Sequence, residues 1–195
     1  MTRVSREVRV GDSVISHQQV LTPLAGGGVH VAEEAIVPSE LQDLPRVGTV
    51  LELLPGLAEA EWFGLGPHEC YPDRQRGALV GRWKSSVSDL FVPYVMPQEA
   101  GGRAGMRWIE LRDDSGGGVR LDMGEPMQVS ATHFRDADLY AATHLEELRP
   151  CAETIVHIDA AHRGVGTASC GPDTLEQYLV RGGTYRWEWS LQPLG

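Results

Sequence analysis

Positive charge is scarce in this 195-residue chain, which has 17 lysines and arginines against 27 aspartates and glutamates. The formal net charge is −10. An acidic surface repels phosphate backbones and anionic lipid head groups. The composition therefore argues against nucleic acid and against a membrane surface as partners.

Cysteine is also rare, with Cys70, Cys151 and Cys170 as its three occurrences. The number is odd and no Cys-x-x-Cys pair exists, so the sequence predicts neither a disulfide framework nor a zinc knuckle. Free thiols persist in a reducing compartment, and we expect a cytoplasmic protein.

Long hydrophobic runs are missing as well. The first residues, MTRVSREVRVGDSV, contain no apolar core of a signal peptide. No run is long enough to span a bilayer. Hydrophobic residues still make up 42% of the chain, which is enough for a sizeable core. The length suits one domain and no linker divides it, so we expect a single domain over residues 1–195.

Glycine and proline are abundant, with 23 and 12 residues, and they separate short runs of alternating polar and apolar residues. This alternation is typical of half-buried strands. We predict strands at Val4–Val10, at Val14–Leu21, from Val29 onward and at Arg46–Leu54. Many short strands with frequent turns predict an all-β sandwich.

The most regular strand pattern lies near the C-terminus, in TYRWEWSL. It places Tyr185, Trp187, Trp189 and Leu191 on one face. Three aromatic rings on one side bury enough apolar area to anchor a core between two sheets.

Two further segments have local signals of their own. Leu139, Ala142 and Leu145 recur at helical spacing, and the pattern predicts one short helix from Asp136 to Leu148 that Pro150 ends. The sequence DDSGGG at 113–118 predicts a hairpin tip.

The densest group of polar residues follows Trp62, in a stretch that reads as a strand entering a proline-rich loop. His68, Glu69, Asp73 and Arg74 could form ion pairs there, and a structural loop is the favoured interpretation. The alternative is a sugar or carboxylate site. A retaining glycosidase needs two carboxyl groups about 5–5.5 Å apart, for which Glu69 and Asp73 are the conceivable pair.

Two other patterns admit a functional interpretation. His157, Asp159 and His162 have a spacing that a zinc site can show, but a strand end with structural polar residues is favoured. Cys170, in the glycine-rich loop 164–173, would be a nucleophile only if a nearby base lowered its pKa, and a small loop residue is favoured. His133 and His144 flank the predicted helix and are expected to be structural.

The stretch WFGLGPHECYPDR at 62–74 resembles the W-x-G-x-G-P-x-E-x-Y-P-D-R motif of the C-terminal, small-chain domain of bacterial β-galactosidases of glycoside hydrolase family 2. Later segments resemble that domain in the same order, over roughly residues 45–195. They are Arg82–Leu90, the run VPYVMPQE at 92–99, Arg103–Glu110, the segment 139–148 with His144, Asp159 with the loop that follows, and the aromatic strand 185–189.

The resemblance implies a β-supersandwich of the galactose mutarotase-like type, lacking its N-terminal strands. It implies that no catalytic residue lies in this chain, because the family's catalytic glutamates belong to a separate (β/α)₈ barrel. The whole enzyme would hydrolyse terminal β-galactosides such as lactose with retention. The family cofactors Mg²⁺ and Na⁺ would be held outside this chain, and the chain alone would be inactive.

The resemblance also suggests a substrate-binding loop at 164–172. In the best-known family members this loop carries a tryptophan that forms a platform for the sugar, and Cys170 occupies the matching position here. Ser169 and Gly171 are its neighbours in the predicted substrate contact. The implied partners are a β-galactoside or galactose, the catalytic barrel or large subunit, and a further copy of the chain in a homo-oligomer.

Two alternatives remain open from the sequence. The first is a stand-alone carbohydrate-binding module, which would need exposed aromatic rings among Trp62, Trp83 and Trp108. The second is a mutarotase-like enzyme that uses a histidine and a glutamate on the same fold, which is an argument from fold analogy.

Overall fold

A computed structural model describes residues 1–167 and 171–195. Strands dominate it, which confirms the predicted all-β class. In chain order they are β1 (Thr2–Val10), β2 (Ser13–Pro23), β3 (Val29–Val37), β4 (Arg46–Leu53), β5 (Glu59–Gly66), β6 (Leu79–Ser86), β7 (Arg103–Arg112), β8 (Gly118–Thr132), β9 (Thr154–His162) and β10 (Gly183–Leu194).

Helical structure is limited to short segments. They are α1 (Val87–Leu90), α2 (Asp136–Ala141) and 3-10 turns at Leu145–Glu147 and Glu176–Tyr178. In the described ranges no helix has the length and apolar character needed to cross a membrane.

The prediction of one helix from Asp136 to Leu148 is wrong. The helix ends at Ala142, whose backbone is extended. The carboxylate of Glu147 accepts backbone N–H groups of Thr143 (2.7 Å) and His144 (3.3 Å), which starts a separate turn. Ala142 and Leu148 are buried, whereas α2 buries no residue. Burial at the two break points therefore outweighs the weak propensity of a short helix.

The ten strands form one antiparallel sheet. Eight of them follow the order β1-β2-β3-β10-β8-β7-β5-β6, while β4 pairs with β9 and β9 with β8. The predicted hairpin tip at 113–118 joins β7 to β8. The strands β1 and β6 are the two ends of this order.

The sheet becomes two layers because β8 has two partners along one edge. Its first half pairs with β10 and its second half with β9. The strand β4, carried by β9, lies across the inner face of the first layer, where Thr49 accepts a hydrogen bond from Trp187 on β10 at 3.1 Å. This arrangement confirms the predicted sandwich.

The core lies between these layers. Trp187 and Trp189 are buried, and Tyr185 and Leu191 pack against the core, as their alternation predicts. The strand β4 shows the predicted alternation as well, with Val47 buried and Leu51 and Leu53 packed against the core.

The hairpin of β1 and β2 has a complete ladder but little burial. Thr2 to Val10 pair residue by residue with Leu21 to Ser13. In β1 only Val4 is even partly covered, and Val8 is 51% exposed. The alternation of β1 thus predicts a strand correctly, but the predicted half-burial is not found.

Candidate functional site

The stretch after Trp62 is a rigid turn built around a buried arginine. The indole of Trp62 is buried and donates to the carbonyl of Leu65 at 3.1 Å. The guanidinium of Arg103 lies 5.3 Å from the Trp62 ring and donates to the carbonyls of Leu90 (3.2 Å) and Pro67 (3.1 Å). The backbone of this turn is therefore fixed from the inside.

The two carboxylates of the turn belong to different networks. Glu69 accepts from the hydroxyl of Tyr94, from the Gly101 N–H (2.9 Å) and from Arg74 (3.2 Å). Asp73 points to the loop at 164–174 instead. Each carboxylate is occupied by structural donors, so the favoured interpretation of a structural loop fits the geometry better than a glycosidase acid/base pair. His68 is exposed.

Asp73 holds the base of the glycine-rich loop. Its carboxylate accepts the N–H groups of Val165 (3.1 Å) and Gly166 (2.8 Å) and the hydroxyl of Thr174 (3.3 Å). Gly166 has a φ of +59°, and a Cβ there would lie 2.6 Å from the Thr174 nitrogen. A glycine is required at this close approach.

Other contacts close the same loop. The Gly164 N–H donates to the Tyr178 carbonyl at 2.9 Å, and the Thr167 N–H donates to the Pro172 carbonyl at 3.2 Å. Arg163 pairs with Asp173 at 2.8 Å. Both described ends of the loop are therefore held in place.

The predicted substrate contacts fall between these two ends in the sequence. Ser169 and Cys170 lie outside the described residues. Gly171 is exposed, and a Cβ there would lie 2.6 Å from the Thr167 hydroxyl oxygen. The assignment of these three residues to substrate binding stays a prediction.

An arginine lies beside two residues of the predicted zinc pattern, Asp159 and His162. A bulge in the β4–β9 pairing leaves Ala160 without a partner, and both Asp159 and His162 approach Arg46. The Arg46 guanidinium is 3.2 Å from His162 Nε2 and 3.9 Å from Asp159 Oδ2. His157 lies apart, between Asp136 (3.2 Å) and Ser130 (3.3 Å).

The electrostatics of this cluster reflect its burial. Burial raises the pKa of Asp159 to about 7, although Arg46 and His157 oppose the shift. Burial and the charge of Arg46 lower the pKa of His162. Glu99 completes the cluster, pairing with Arg46 and accepting from the Tyr71 hydroxyl at 3.2 Å.

In the part of the chain that the structure describes, these side chains do not form a metal site. No three His, Cys, Asp or Glu side chains are grouped there so as to hold an ion. Arg46 lies beside Asp159 and His162, whereas His157 contacts Asp136 and Ser130. The Nδ1 of His133 donates to the Glu153 carbonyl at 2.9 Å, which fits its expected structural role.

A second buried polar cluster was not predicted. Glu33 on β3 is surrounded by donors, with His17 at 2.7 Å, Gln19 at 2.9 Å and the indole of Trp189 at 2.6 Å. The hydroxyl of Thr49 donates to it as well. The signal was present in the sequence, because Glu33 falls on the apolar face of VHVAEEAIV, where a charge needs partners.

The three tryptophans that a sugar-binding module would need are all engaged. Trp62 is buried, which excludes it as an exposed platform. Trp83 is partly buried and donates to the Gly64 carbonyl at 3.3 Å. The Trp108 ring has the guanidinium groups of Arg82 and Arg120 over it, at 5.6 and 4.4 Å.

Comparisons with known proteins agree with the resemblance in the sequence. The family model described as β-galactosidase small chain matches residues 3–191. A β-galactosidase of Arthrobacter sp. is 35% identical over 153 residues, which cover 75% of this chain and 15% of the relative. A β-galactosidase of Vibrio cholerae is 32% identical over 169 residues, covering 84% of this chain and 15% of the relative.

The chain thus spans only a small part of the relatives that it matches. A β-galactosidase of Priestia megaterium shows the same proportion, with 28% identity over 164 residues that make up 16% of its length. Since the family model covers nearly the whole chain, the protein belongs to the β-galactosidase small-chain family.

Proposed function

We propose that this chain is the part of a β-galactosidase that completes the wall of the active site and supports assembly with a larger catalytic portion. The catalytic glutamates would lie on a barrel outside this chain. The complete enzyme would hydrolyse terminal β-galactosides with retention of configuration, and this chain alone would be inactive.

The observation that carries the proposal is the fixed base of the 164–174 loop. Asp73 lies in the stretch that most closely resembles the family, and its carboxylate binds the backbone of this loop at Val165 and Gly166. A loop that touches substrate must be held in one geometry by its supporting residues. We propose that Asp73 positions the loop so that Ser169, Cys170 and Gly171 face the sugar.

Cysteine at the platform position has a chemical consequence. A thiol is small and offers no ring face, so it cannot stack on a sugar as an indole does. We propose that the sugar is held here by shape and by polar contacts, and that Cys170→Trp would lower KM by restoring the ring.

Metal ions enter this proposal only through the complete enzyme. Mg²⁺ and Na⁺ are expected there, and among the described residues no three His, Cys, Asp or Glu side chains are grouped so as to hold an ion. The proposed role of this chain therefore includes no step that depends on a metal.

The test is reconstitution. The chain is purified from its host and co-purifying proteins are identified, and hydrolysis of a chromogenic β-galactoside is measured for the chain alone and for the complex. The chain alone should be inactive and the complex active. A folded chain that co-purifies with no larger protein, and that activates none, would contradict the proposal.

Two variants then distinguish a role of Asp73 in positioning the loop from a role in forming the complex. In the complex, Asp73→Asn should raise KM with little change in the amount of complex, whereas Asp114→Asn, on the exposed hairpin tip, should change neither. Equal kinetics for the two variants would remove Asp73 from the proposed role.

A mutarotase-like activity is the second candidate, because His17 and Glu33 lie 2.7 Å apart on neighbouring strands. The surroundings weaken it, since both Glu33 oxygens already accept from protein donors. Polarimetry on freshly dissolved α-galactose tests it, and a rate equal to that of buffer would exclude it.

A further inference from the structure

Strand β1 has a free backbone edge. It pairs with β2, and no other strand pairs with it in the part of the chain that the structure describes. Val10 and Ser13 are paired across a two-residue turn, so they exchange hydrogen bonds with each other. Bonding alternates along an antiparallel strand, and every second residue of β1 therefore turns its N–H and C=O groups away from β2. These residues are Arg3, Ser5, Glu7 and Arg9.

The side chains of this edge carry both signs of charge. All the residues of β1 except Val4 are exposed. Arg3 and Glu7 lie four residues apart, so their side chains share one face of the strand. Val8 lies on the opposite face, beside Ile15 of β2, and is itself 51% exposed. The edge is therefore open to a further strand that brings complementary charges.

A second copy of this chain brings such a strand. A two-fold axis makes each contact occur twice, with the roles of the two copies exchanged. Antiparallel pairing centred on Ser5 would place Arg3 of each copy opposite Glu7 of the other. Directly opposite side chains lie on the same face, close enough for an ion pair. Because their backbone groups face the free edge, Arg3, Ser5 and Glu7 would each exchange two hydrogen bonds with the residue opposite.

The charges also exclude the longer registers. Pairing centred on Arg6 would extend over the whole strand, but it would place Arg6 opposite its own copy and Arg3 opposite Arg9. Pairing centred on Glu7 would place two carboxylates opposite each other. Like charges that are directly opposite destabilise a sheet. The register centred on Ser5 is thus the longest one without a repulsive pair.

The shorter registers offer less. Pairing centred on Val8 would keep two ion pairs, between Glu7 and Arg9, but the overlap would shrink to residues 6–10. Pairing centred on Val4 would overlap over residues 2–6 and form no arginine–glutamate pair. Fewer backbone groups on the edge are satisfied in either case. Charge and length therefore favour the same register.

The strand at the other end of the sheet lacks this complementarity. Arg82 and Lys84 on β6 already pair with Glu61 on β5. The sequence of β6, LVGRWKSS, contains no acidic residue. Two copies of β6 would bring only positive charges together, so β1 is the edge that suits a second copy.

We infer that two copies of this chain associate through β1, forming one continuous antiparallel sheet with Arg3–Glu7 ion pairs on its outer face. One strand from each copy forms the contact, which makes it smaller than the interfaces of permanent dimers. The association is therefore a concentration-dependent equilibrium. The inference does not rest on the proposed function, because it uses only the edge and its charges.

The first test is sedimentation of the native chain from low to high micromolar concentration, where the mass should rise from monomer toward dimer. Glu7→Arg should raise the dissociation constant roughly 10-fold or more, because both ion pairs become repulsive. The double variant Arg3→Glu/Glu7→Arg exchanges the charges and should restore dimerisation. Asp114→Arg, on the exposed hairpin tip, changes the net charge as Glu7→Arg does and should have no effect.

Two results of this test would overturn the inference. A native chain that stays monomeric at every concentration would do so. A dimer that forms equally well with Glu7→Arg would place the contact on another surface.

The second test reads the register by oxidation. In the inferred dimer the two copies of Ser5 are opposite each other, so Ser5→Cys should form a disulfide-linked dimer under mild oxidation. Ser115→Cys, on the exposed hairpin tip, and the native chain are the controls and should not. A disulfide that forms with Val8→Cys but not with Ser5→Cys would overturn the Arg3–Glu7 pairing.

A strand of the larger catalytic portion is the competing occupant of this edge. Hydrogen exchange at Arg3, Ser5 and Glu7 should slow in the isolated chain as its concentration rises. Slower exchange at these residues only in the reconstituted complex, with a monomeric isolated chain, would assign the edge to the larger portion and overturn the inference. The proposed function would remain supported in that case, because the two outcomes are read in separate samples.

Discussion

The hairpin β1–β2 and the turn at 62–74 show two ways in which a strand-rich segment is held. The hairpin has nine residue pairs in its ladder but almost no buried side chain in β1. The stretch 62–74 has ladder pairing only up to Gly66, where β5 ends, yet it buries Trp62, Cys70 and Tyr71, with Arg103 over the Trp62 ring. A regular ladder and a packed interior are therefore independent properties of a segment.

The difference also separates two kinds of stabilisation. On unfolding, ladder hydrogen bonds are replaced by bonds with water, so each contributes little net free energy. A buried side chain instead loses its packing contacts and exposes apolar surface to water, which costs more. We therefore expect the turn and its neighbours β5, β7 and β8 to dominate the free energy of unfolding. In β1 only Val4 is partly covered and Val8 is exposed, so the strand adds little.

The largest expected effect tests this contrast directly. Trp62→Ala should lower the free energy of unfolding by about 3–5 kcal/mol, because it leaves a cavity beneath Arg103. Val8→Ala, on the exposed hairpin, should change it by about 0.5 kcal/mol or less. Urea denaturation of both variants gives the comparison, and similar losses in the two would refute it.

The buried carboxyl of Asp159 should make stability depend on pH. Its pKa is raised to about 7 in the folded chain, against about 3.9 for an unfolded aspartate. Between these values the folded state holds the proton and the unfolded state does not, so the free energy of unfolding falls as pH rises. The loss from this group is at most about 4 kcal/mol and is complete above the folded pKa.

Asp159→Asn sharpens that measurement because the amide does not ionise. Thermal or urea unfolding of the two proteins across the same pH series should give a difference that changes between about pH 4 and pH 7 and is constant above. A constant difference over the whole series would show that Asp159 has an ordinary pKa.

The boundary between the hairpin and the core lies at Glu33, which takes donors from β2, β4 and β10. Glu33→Gln keeps the size but turns an NH₂ donor toward groups that themselves donate, and it should cost about 1–3 kcal/mol. Glu34→Gln is a matched control, because Glu34 lies on the outer face and pairs with the largely exposed Arg186. The control should cost less than about 1 kcal/mol. Equal costs would mean that the hairpin contributes no specific contact through His17 and Gln19.

A small global effect with a clear local one is expected at Asp73. Asp73→Asn should leave the free energy of unfolding within about 1 kcal/mol of the native value, since the loop base is near the surface. Hydrogen exchange of the Val165 and Gly166 amides should nevertheless become faster, because their acceptor is weakened. Unchanged exchange at both amides would indicate that the loop is held by its other contacts.

Much of the fold was predictable from local patterns. The strands at β1, β2, β4 and β10, the inward tryptophans and the hairpin tip follow from a period of two residues and from glycine, which act between near neighbours. The predicted helix from Asp136 to Leu148 was wrong because Ala142 and Leu148 are buried and Glu147 binds the backbone N–H groups of Thr143 and His144. The predicted half-burial of β1 was wrong because an alternating pattern does not show whether another part of the protein covers the apolar face of the strand.

The candidate site was predictable only in its motifs. Glu69, Asp73 and Arg74 were expected to be structural, but nothing in the spacing showed that Asp73 binds the backbone at Val165, 92 residues further along the chain. Likewise the spacing of His157, Asp159 and His162 correctly favoured structural polar residues over a zinc site, but it did not show that Asp159 and His162 meet Arg46 from another strand. Ser169 and Cys170 lie outside the described residues, so their predicted role depends on the resemblance to the family.

The sequence by itself determined the all-β class, the identity of most strands and membership in the β-galactosidase small-chain family, because these depend on local periodicity and on ordered motifs. The tertiary structure alone decided which charges are buried and what they meet. The bulge at Ala160, the crossing of β4 over β3 and the contact of Asp73 with the loop join residues far apart in the chain. Such contacts arise from the packing of layers, which no local pattern encodes.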